Sequence, residues 1–202
     1  AGLGGGHEIS WGHLQGLTHK AVRQKKHLAI INFDAHFDLR PLLPGNLGSS
    51  GTPFMQMALF SKEHNIPFDY TCLGIQPQGN SPLLFKTAQN YQCNYLTAKE
   101  MQEKNIDESY SYLSEIITQC DNIFLSLCLD VFSKENAPGV SAPQELGLKP
   151  ENIMPLWEKV LDSGKVIAVD IAEMSPRFDK EEKTAKLGAA FLEKVINRTA
   201  VV

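Results

Sequence analysis

Four short apolar runs fix what this chain can become. LAIINF (28–33), FDYTCLGI (68–75), NIFLSLCL (122–129) and KVIAVDIA (165–172) are continuous and rich in β-branched or aromatic residues. They are too short for buried helices, and without polar alternation both faces of each strand must be covered. Stretches of helical period lie between them. Trp11, Leu14, Leu17 and Ala21 recur at three- and four-residue steps before the basic exit Lys25-Lys26, and cations suit a helix C-terminus. Phe54 to His64, Pro82 to Tyr91, the Tyr110/Leu113/Ile116/Ile117 stretch, Pro150 to about Asp162 and Lys183 to Asn197 read the same way, with a further short strand near Cys93 to Leu96. Residues 39–53, with three Pro and three Gly, and residues 133–149, with Pro138, Gly139, Pro143 and Gly147, are loop. Strand and helix alternate throughout, which predicts an α/β fold with a mainly parallel sheet. At 202 residues, with no internal repeat and no linker, the chain reads as one domain over 1–202.

Charge and composition narrow the function classes. Nineteen Lys+Arg against 23 Asp+Glu give a net charge of −4, and Lys25-Lys26 is the longest cationic block. That argues against a nucleic-acid partner. No apolar run approaches the roughly 18–20 residues of a membrane helix. Cys72, Cys93, Cys120 and Cys128 form no CxxC pair, and this usage predicts reduced thiols in a cytoplasmic protein without a disulfide framework. The opening AGLGGGHEIS has neither basic nor apolar signal-peptide regions. A glycine turn at Gly4–Gly6 needs an element before it, so the sequence is expected to lack an N-terminal portion.

In an open parallel sheet, ligands bind beyond the carboxyl ends of the strands. Those ends carry carboxylates and histidines: Asp34, His36 and Asp38 after LAIINF, Asp130 after NIFLSLCL, Asp170 and Glu173 in and after KVIAVDIA, and His7-Glu8 after the glycine turn. At i, i+2 and i+4 of an extended segment, Asp34, His36 and Asp38 share a side. A divalent cation relieves their mutual repulsion, and an oxygen-rich set with imidazole suits Mn²⁺. A plainer reading has Asp34 capping a helix, His36 in a loop and Asp38 paired with Arg40. His7 and Asp130, at other strand ends, tip the balance toward metal. His13, His19, His27 and His64 read as solvated. Gln76 and Asn80, after Ile75, are candidates for the pocket by position alone. GLGGGHE lacks both GxGxxG and a Walker ending, so its glycines are assigned to close backbone approach beside a ligand histidine.

Five ordered motifs carry a resemblance. GGGHE, NFDAHFDLR, the strand ending SLCLD, the loop APGVSAP and DIAEMSP resemble the ureohydrolases (arginase, agmatinase, formimidoylglutamase), and SSGTPF, LDVF and DIAEMSPRFD are most similar to the formimidoylglutamase branch. The resemblance implies a three-layer α/β/α domain, arginase-like and lacking its N-terminal strands, with two Mn²⁺ per subunit. It implies a hydrolase of linear amidine C–N bonds in histidine metabolism: N-formimino-L-glutamate is cleaved to L-glutamate and formamide by a metal-bridging hydroxide attacking the formimino carbon. His7, Asp34 and Asp38 would hold one metal; His36 and Asp130 would join Asp34 on the other. Asp38 would also pass the proton to the leaving group, and Glu173 would pair with the cationic amidine. Arg40 would contact the amino-acid end of a small-molecule substrate, and Ser50, a second substrate-binding candidate, takes the place where arginase has a proton-shuttling histidine, which argues against arginase. Two Asp are usual where this chain reads Cys128-Leu129-Asp130, so Cys128 is a candidate sulfur ligand in place of a carboxylate. The family also implies a homo-oligomer. An agmatinase-like guanidino hydrolase and a non-catalytic metal-binding homologue are the competing readings.

Overall fold

A computed structural model of the chain describes residues 1–24, 26–103 and 105–199, with side chains described outside 19–24 and 199. The strands are β1 (Gly2–Leu3), β2 (Leu28–Phe33), β3 (Asp69–Ile75), β4 (Asn94–Thr97), β5 (Asn122–Cys128) and β6 (Val166–Ala172). The helices are α1 (Ile9–Gln24), α2 (Pro53–His64), α3 (Pro82–Asn90), α4 (Ala98–Glu103), α5 (Ile106–Gln119), α6 (Pro150–Asp162) and α7 (Lys183–Thr199). Helices α2, α3 and α6 open on proline, whose missing N–H costs nothing in a first turn.

The six strands form one sheet in the order β1-β6-β5-β2-β3-β4, parallel at every pairing. Continuous apolar strands require cover on both faces, and the packing supplies it. Ala29, Ile31 and Phe33 of β2 point to one side, among Leu113 and Ile116 of α5, Trp157 and Val160 of α6 and Phe191 of α7. Ile30 points to the other, among Leu14 of α1, Phe54 and Met57 of α2 and Leu84 of α3. The result is a three-layer α/β/α arrangement.

Every strand and helix expected from the sequence is present to within a few residues, and two elements were not foreseen. β1 is two residues long and defined only by its pairing with Asp170 and Ile171. α4 is six residues long, too short for a periodic pattern. The sequence signal for α5 also starts late, because Asn105 caps it by accepting from the Glu108 N–H at 2.9 Å. Lys25 and the His19 side chain lie outside the described residues.

Two local devices fix the sheet's carboxyl edge. Gly74 interrupts the β3–β4 register at φ +108. A Cβ there would lie 2.4 Å from Val131 Cγ2 and 3.3 Å from the Asp34 carbonyl, so the strand can approach the 34–38 turn only as glycine. Asp179 caps α7, accepting from the Thr184 N–H at 2.9 Å and the Ala185 N–H at 3.0 Å. The Gly139 N–H donates to Thr184 Oγ1 at 2.7 Å and the Ser175 N–H to the Gly139 carbonyl at 2.7 Å, which ties the 133–149 loop to the same end of the helix.

Candidate metal centre and substrate cleft

Beyond the ends of β2 and β5 the chain turns tightly. Asp34 caps no helix; its Oδ1 accepts the His36 N–H at 2.8 Å, closing a local turn that presents residues 34, 36 and 38 together. Asp38 adopts φ +50, a left-handed conformation that Asp tolerates. Asp130 follows β5 in a 3₁₀ turn, Leu129–Val131.

These residues converge with His7, which is fully buried just before α1. His7 Nδ1 lies 3.0 Å from Asp34 Oδ2 and 2.9 Å from Asp38 Oδ2. Asp38 thus faces His7, not Arg40 as the plainer reading required. His36 Nδ1 lies 3.0 Å from Asp130 Oδ2 and 3.7 Å from Asp34 Oδ1. Asp34 therefore offers one oxygen to each histidine. Two sets of donor atoms result, His7/Asp34/Cys128 and Asp34/His36/Asp130, each gathered within 4.8 Å. Cys128 Sγ donates to Asp130 Oδ1 at 2.9 Å, which brings the sulfur up to the second set.

Polar residues inside otherwise apolar strands hold these donors, and the sequence reading passed over them. The other ring nitrogen of His7 bonds Ser126 Oγ at 2.8 Å. Asn32 Nδ2 donates to Asp34 Oδ2 and to Tyr70 Oη, each at 3.1 Å. Asn80 accepts the Phe37 N–H at 3.0 Å and donates to the Ala35 carbonyl at 2.9 Å, and Gln76 donates to the Leu146 carbonyl at 2.6 Å. Gln76 and Asn80 are buried scaffolding of the turn and do not line the cleft. Asp170 also stands apart from the donors. It is buried mid-strand, bonded to Ser10 Oγ at 3.1 Å and to His13 Nδ1 at 2.7 Å. His13 is therefore a paired, part-buried residue and not a solvated one. His27 likewise contacts Asp69 at 3.2 Å, whereas His64 is exposed as expected, with a bond to the Phe60 carbonyl at 2.9 Å.

The groups of the cluster act strongly on one another's titration. Burial drives the Asp38 carboxyl up, the charge of Asp34 adds to it, and together they carry it to about 7 despite His7. Burial pulls His36 down, but Asp130 and Asp34 outweigh this and raise it to about 11. His7 is raised for the same reason: Asp34 and Asp38 overcome its burial. Burial also lifts the Cys128 thiol, helped by the charge of Asp130. Without a cation, the cluster must hold protons to offset its carboxylates.

A cleft of about 190 Å³ opens over the donors, lined by His36, Asp38, Cys128 and Asp130 at its base and by Arg40, Ser50, Ser141 and Glu173 above. Glu173, at φ +66, is held at both oxygens. Oε1 accepts the His7 N–H at 2.9 Å and Oε2 accepts Ser141 Oγ–H at 2.7 Å. Arg40 and Ser50 are exposed at the mouth. The apolar cavity beside Ile66–Asp69 is larger, about 340 Å³, but it opens away from these groups.

The family model described as Arginase family matches residues 1–197. The chain belongs to the arginase family. This family member is 47% identical over 195 residues to the formimidoylglutamase of Legionella pneumophila strain Lens, covering 96% of this chain and 60% of that protein. It is 43% identical over 202 residues to the formimidoylglutamase of Clostridium tetani, covering 99% and 60%. The chain thus spans about 60% of the length of the curated relatives it matches. The crystal structure of Bacillus subtilis formimidoylglutamase superposes with a TM-score of 0.84 at 26% identity, over 98% of this chain and 60% of that one. A Trypanosoma cruzi formiminoglutamase solved with Mn²⁺ gives the same TM-score, 0.84, at 21% identity, over 98% and 64%, a likeness of fold. No described helix is long and apolar enough to cross a membrane.

Proposed function

We propose that this arginase-family chain belongs to an enzyme that hydrolyses N-formimino-L-glutamate to L-glutamate and formamide at a two-manganese centre. One observation carries the reading: two donor sets share Asp34 at the floor of a cleft whose wall bears Glu173 and whose mouth bears Arg40.

The residues fit a metal pair. His7 Nδ1 is buried, close to two carboxylate oxygens, yet makes no hydrogen bond of acceptable geometry. Its lone pair, held in place by the Ser126 bond on the opposite nitrogen, shares a target with Asp34 and Asp38, as ligand atoms do. His7, Asp34 and Asp38, with Cys128, would hold one cation, and Asp34, His36 and Asp130 the other. When bound, such a pair supplies Lewis-acid charge that makes water nucleophilic near neutral pH.

The chain's own groups then divide the work. Glu173 keeps a free lone pair on each oxygen and accepts the N–H groups of the cationic formimino head, which fixes its carbon over the donor floor. Arg40 presents a forked donor to the carboxylates of the glutamyl end, and agmatine has none to offer it. Ser50 adds a hydroxyl at the same end. Asp38, lining the cleft, takes the water proton and returns it to the glutamyl nitrogen as the C–N bond breaks. The step balances when the amine leaves as its ammonium: the cationic amidine and one water give formamide and protonated glutamate nitrogen, one water proton arriving through Asp38 and the other from the hydroxyl of the addition intermediate as its C=O forms.

The test is formamide release from N-formimino-L-glutamate by the intact protein with Mn²⁺, with urea release from agmatine and arginine run in parallel. Formamide without urea is expected. Urea from agmatine would move the assignment to a guanidino hydrolase, and inactivity toward all three substrates would leave only metal binding.

A further inference from the structure

The two donor sets are not chemically equal. Three sulfurs can be compared within one chain. Those of Cys72 and Cys120 donate to backbone carbonyls, of His36 at 3.3 Å and of Ile117 at 3.5 Å. Cys128, 1% exposed at the end of β5, turns its sulfur toward a carboxylate instead. Its Sγ gathers with a His7 nitrogen and an Asp34 oxygen in one set; the other set has nitrogen and oxygen donors, and its Asp130 Oδ1 accepts the thiol at 2.9 Å. His7 Nδ1, wholly buried, lies 3.0 Å from Asp34 Oδ2 and 2.9 Å from Asp38 Oδ2 and so faces the same donor cluster. Thiolate and imidazole favour Zn²⁺ and Co²⁺, whereas carboxylate-rich sets suit Mn²⁺.

Resting on the two-metal reading above, we propose that Cys128 makes the centre asymmetric: the His7/Asp34/Cys128 position selects a thiophilic divalent cation such as Zn²⁺ or Co²⁺, beside a Mn²⁺-type position at Asp34/His36/Asp130. Asp34, with an oxygen toward each set, is the shared ligand. The native enzyme then works best with a mixed pair of metals, and its two positions load in a fixed order in Co²⁺ titrations, the sulfur-bearing one first.

Co²⁺ is the probe. The intact protein is stripped of metal under reducing conditions and titrated while the near-ultraviolet thiolate-to-cobalt charge-transfer band is followed, with native mass spectrometry counting the ions retained. The expected result is a band that grows with the first equivalent and saturates before the second ion binds. A Cys128→Asp variant is expected to lose the band and roughly tenfold or more of its Co²⁺ affinity, the scale of changes in a metal's surroundings, while its Mn²⁺ affinity rises. Cadmium NMR of the unmodified protein gives a second readout that needs no variant, because sulfur ligation shifts the resonance far downfield. Two bound Co²⁺ ions with no band and no downfield resonance would overturn the asymmetry and leave the two-metal reading standing. A protein that retains no cation would overturn both.

Discussion

Gly74→Ala tests the link between the sheet and the donor turn. Its φ of +108 is costly for any L-residue, about 1–2 kcal/mol. The added methyl would also lie 2.4 Å from Val131 Cγ2. Val131 is fully buried and β-branched, so it cannot swing aside. Overpacking of this kind costs roughly 1–3 kcal/mol, which brings the total to about 2–5 kcal/mol. With a urea m-value of about 3 kcal/mol/M, the unfolding midpoint should fall by roughly 1 M. Val131→Ala on the same background removes the clashing methyl but not the strain. The double variant should therefore be more stable than the sum of the two single changes by about 1 kcal/mol or more. Urea melts followed by circular dichroism read all three variants. Strict additivity, or a Gly74→Ala midpoint within error of the unmodified protein, would refute the steric argument.

Asp179→Asn should cost about 1 kcal/mol at neutral pH by weakening the α7 cap. Slight burial raises this carboxyl, but the N–H groups of Thr184 and Ala185 outweigh it and hold it below its usual value. The native carboxylate's contribution is therefore present above the unfolded pKa and lost as pH falls through the folded one, so melts of the two proteins should converge in acid; a gap that persists there would contradict the cap. Mn²⁺ binding at neutral pH should release protons, because His7 and His36 are held protonated by their carboxylate neighbours. Calorimetry in buffers of different ionisation enthalpy reads the release, and a buffer-independent heat would count against the ligand assignment. Ser141→Ala removes the hydroxyl that holds Glu173 Oε2 and should lower kcat/KM for the formimino substrate about three- to tenfold, with Ser141→Thr recovering most of the loss. An unchanged kcat/KM would free Glu173 from that role. Arg40→Ala should raise KM about tenfold with a smaller change in kcat, and an unaffected KM would remove Arg40 from substrate recognition.

The sheet was legible because its strands are buried on both faces, which leaves an uninterrupted apolar run as the simplest of signals. β1 and α4 left no such trace, since two paired residues and six helical ones are too few for any period. The donors at 34, 36 and 38 were legible through their spacing, and His7 and Asp130 through their places after a turn and a strand. Their supports escaped the reading although a signal existed: Asn32 interrupts LAIINF and Ser126 interrupts NIFLSLCL. A polar residue inside a strand covered on both sides must find a partner there. Asp170 breaks its strand in the same way, yet its partners are Ser10 and His13. The interruption therefore marks a buried bond without telling whose. Gln76 and Asn80 show the limit of arguing from strand ends, because position does not fix which way an amide turns. Asn80 spends its hydrogen bonds on backbone groups, and Gln76 divides its own between the Leu146 carbonyl and the Gln78 side-chain amide.

The cleft is built in two registers. Its floor comes from the ends of β2 and β5 and the residues just beyond them, while its rim comes from the 39–53 and 133–149 loops, the second pinned through Gly139 to the start of α7. Strand ends are bound into the sheet and change slowly, whereas loops tolerate exchange. The two rims can therefore be altered without touching the donor floor, and Glu173, bonded to His7 on one side and to Ser141 on the other, is where floor and rim meet.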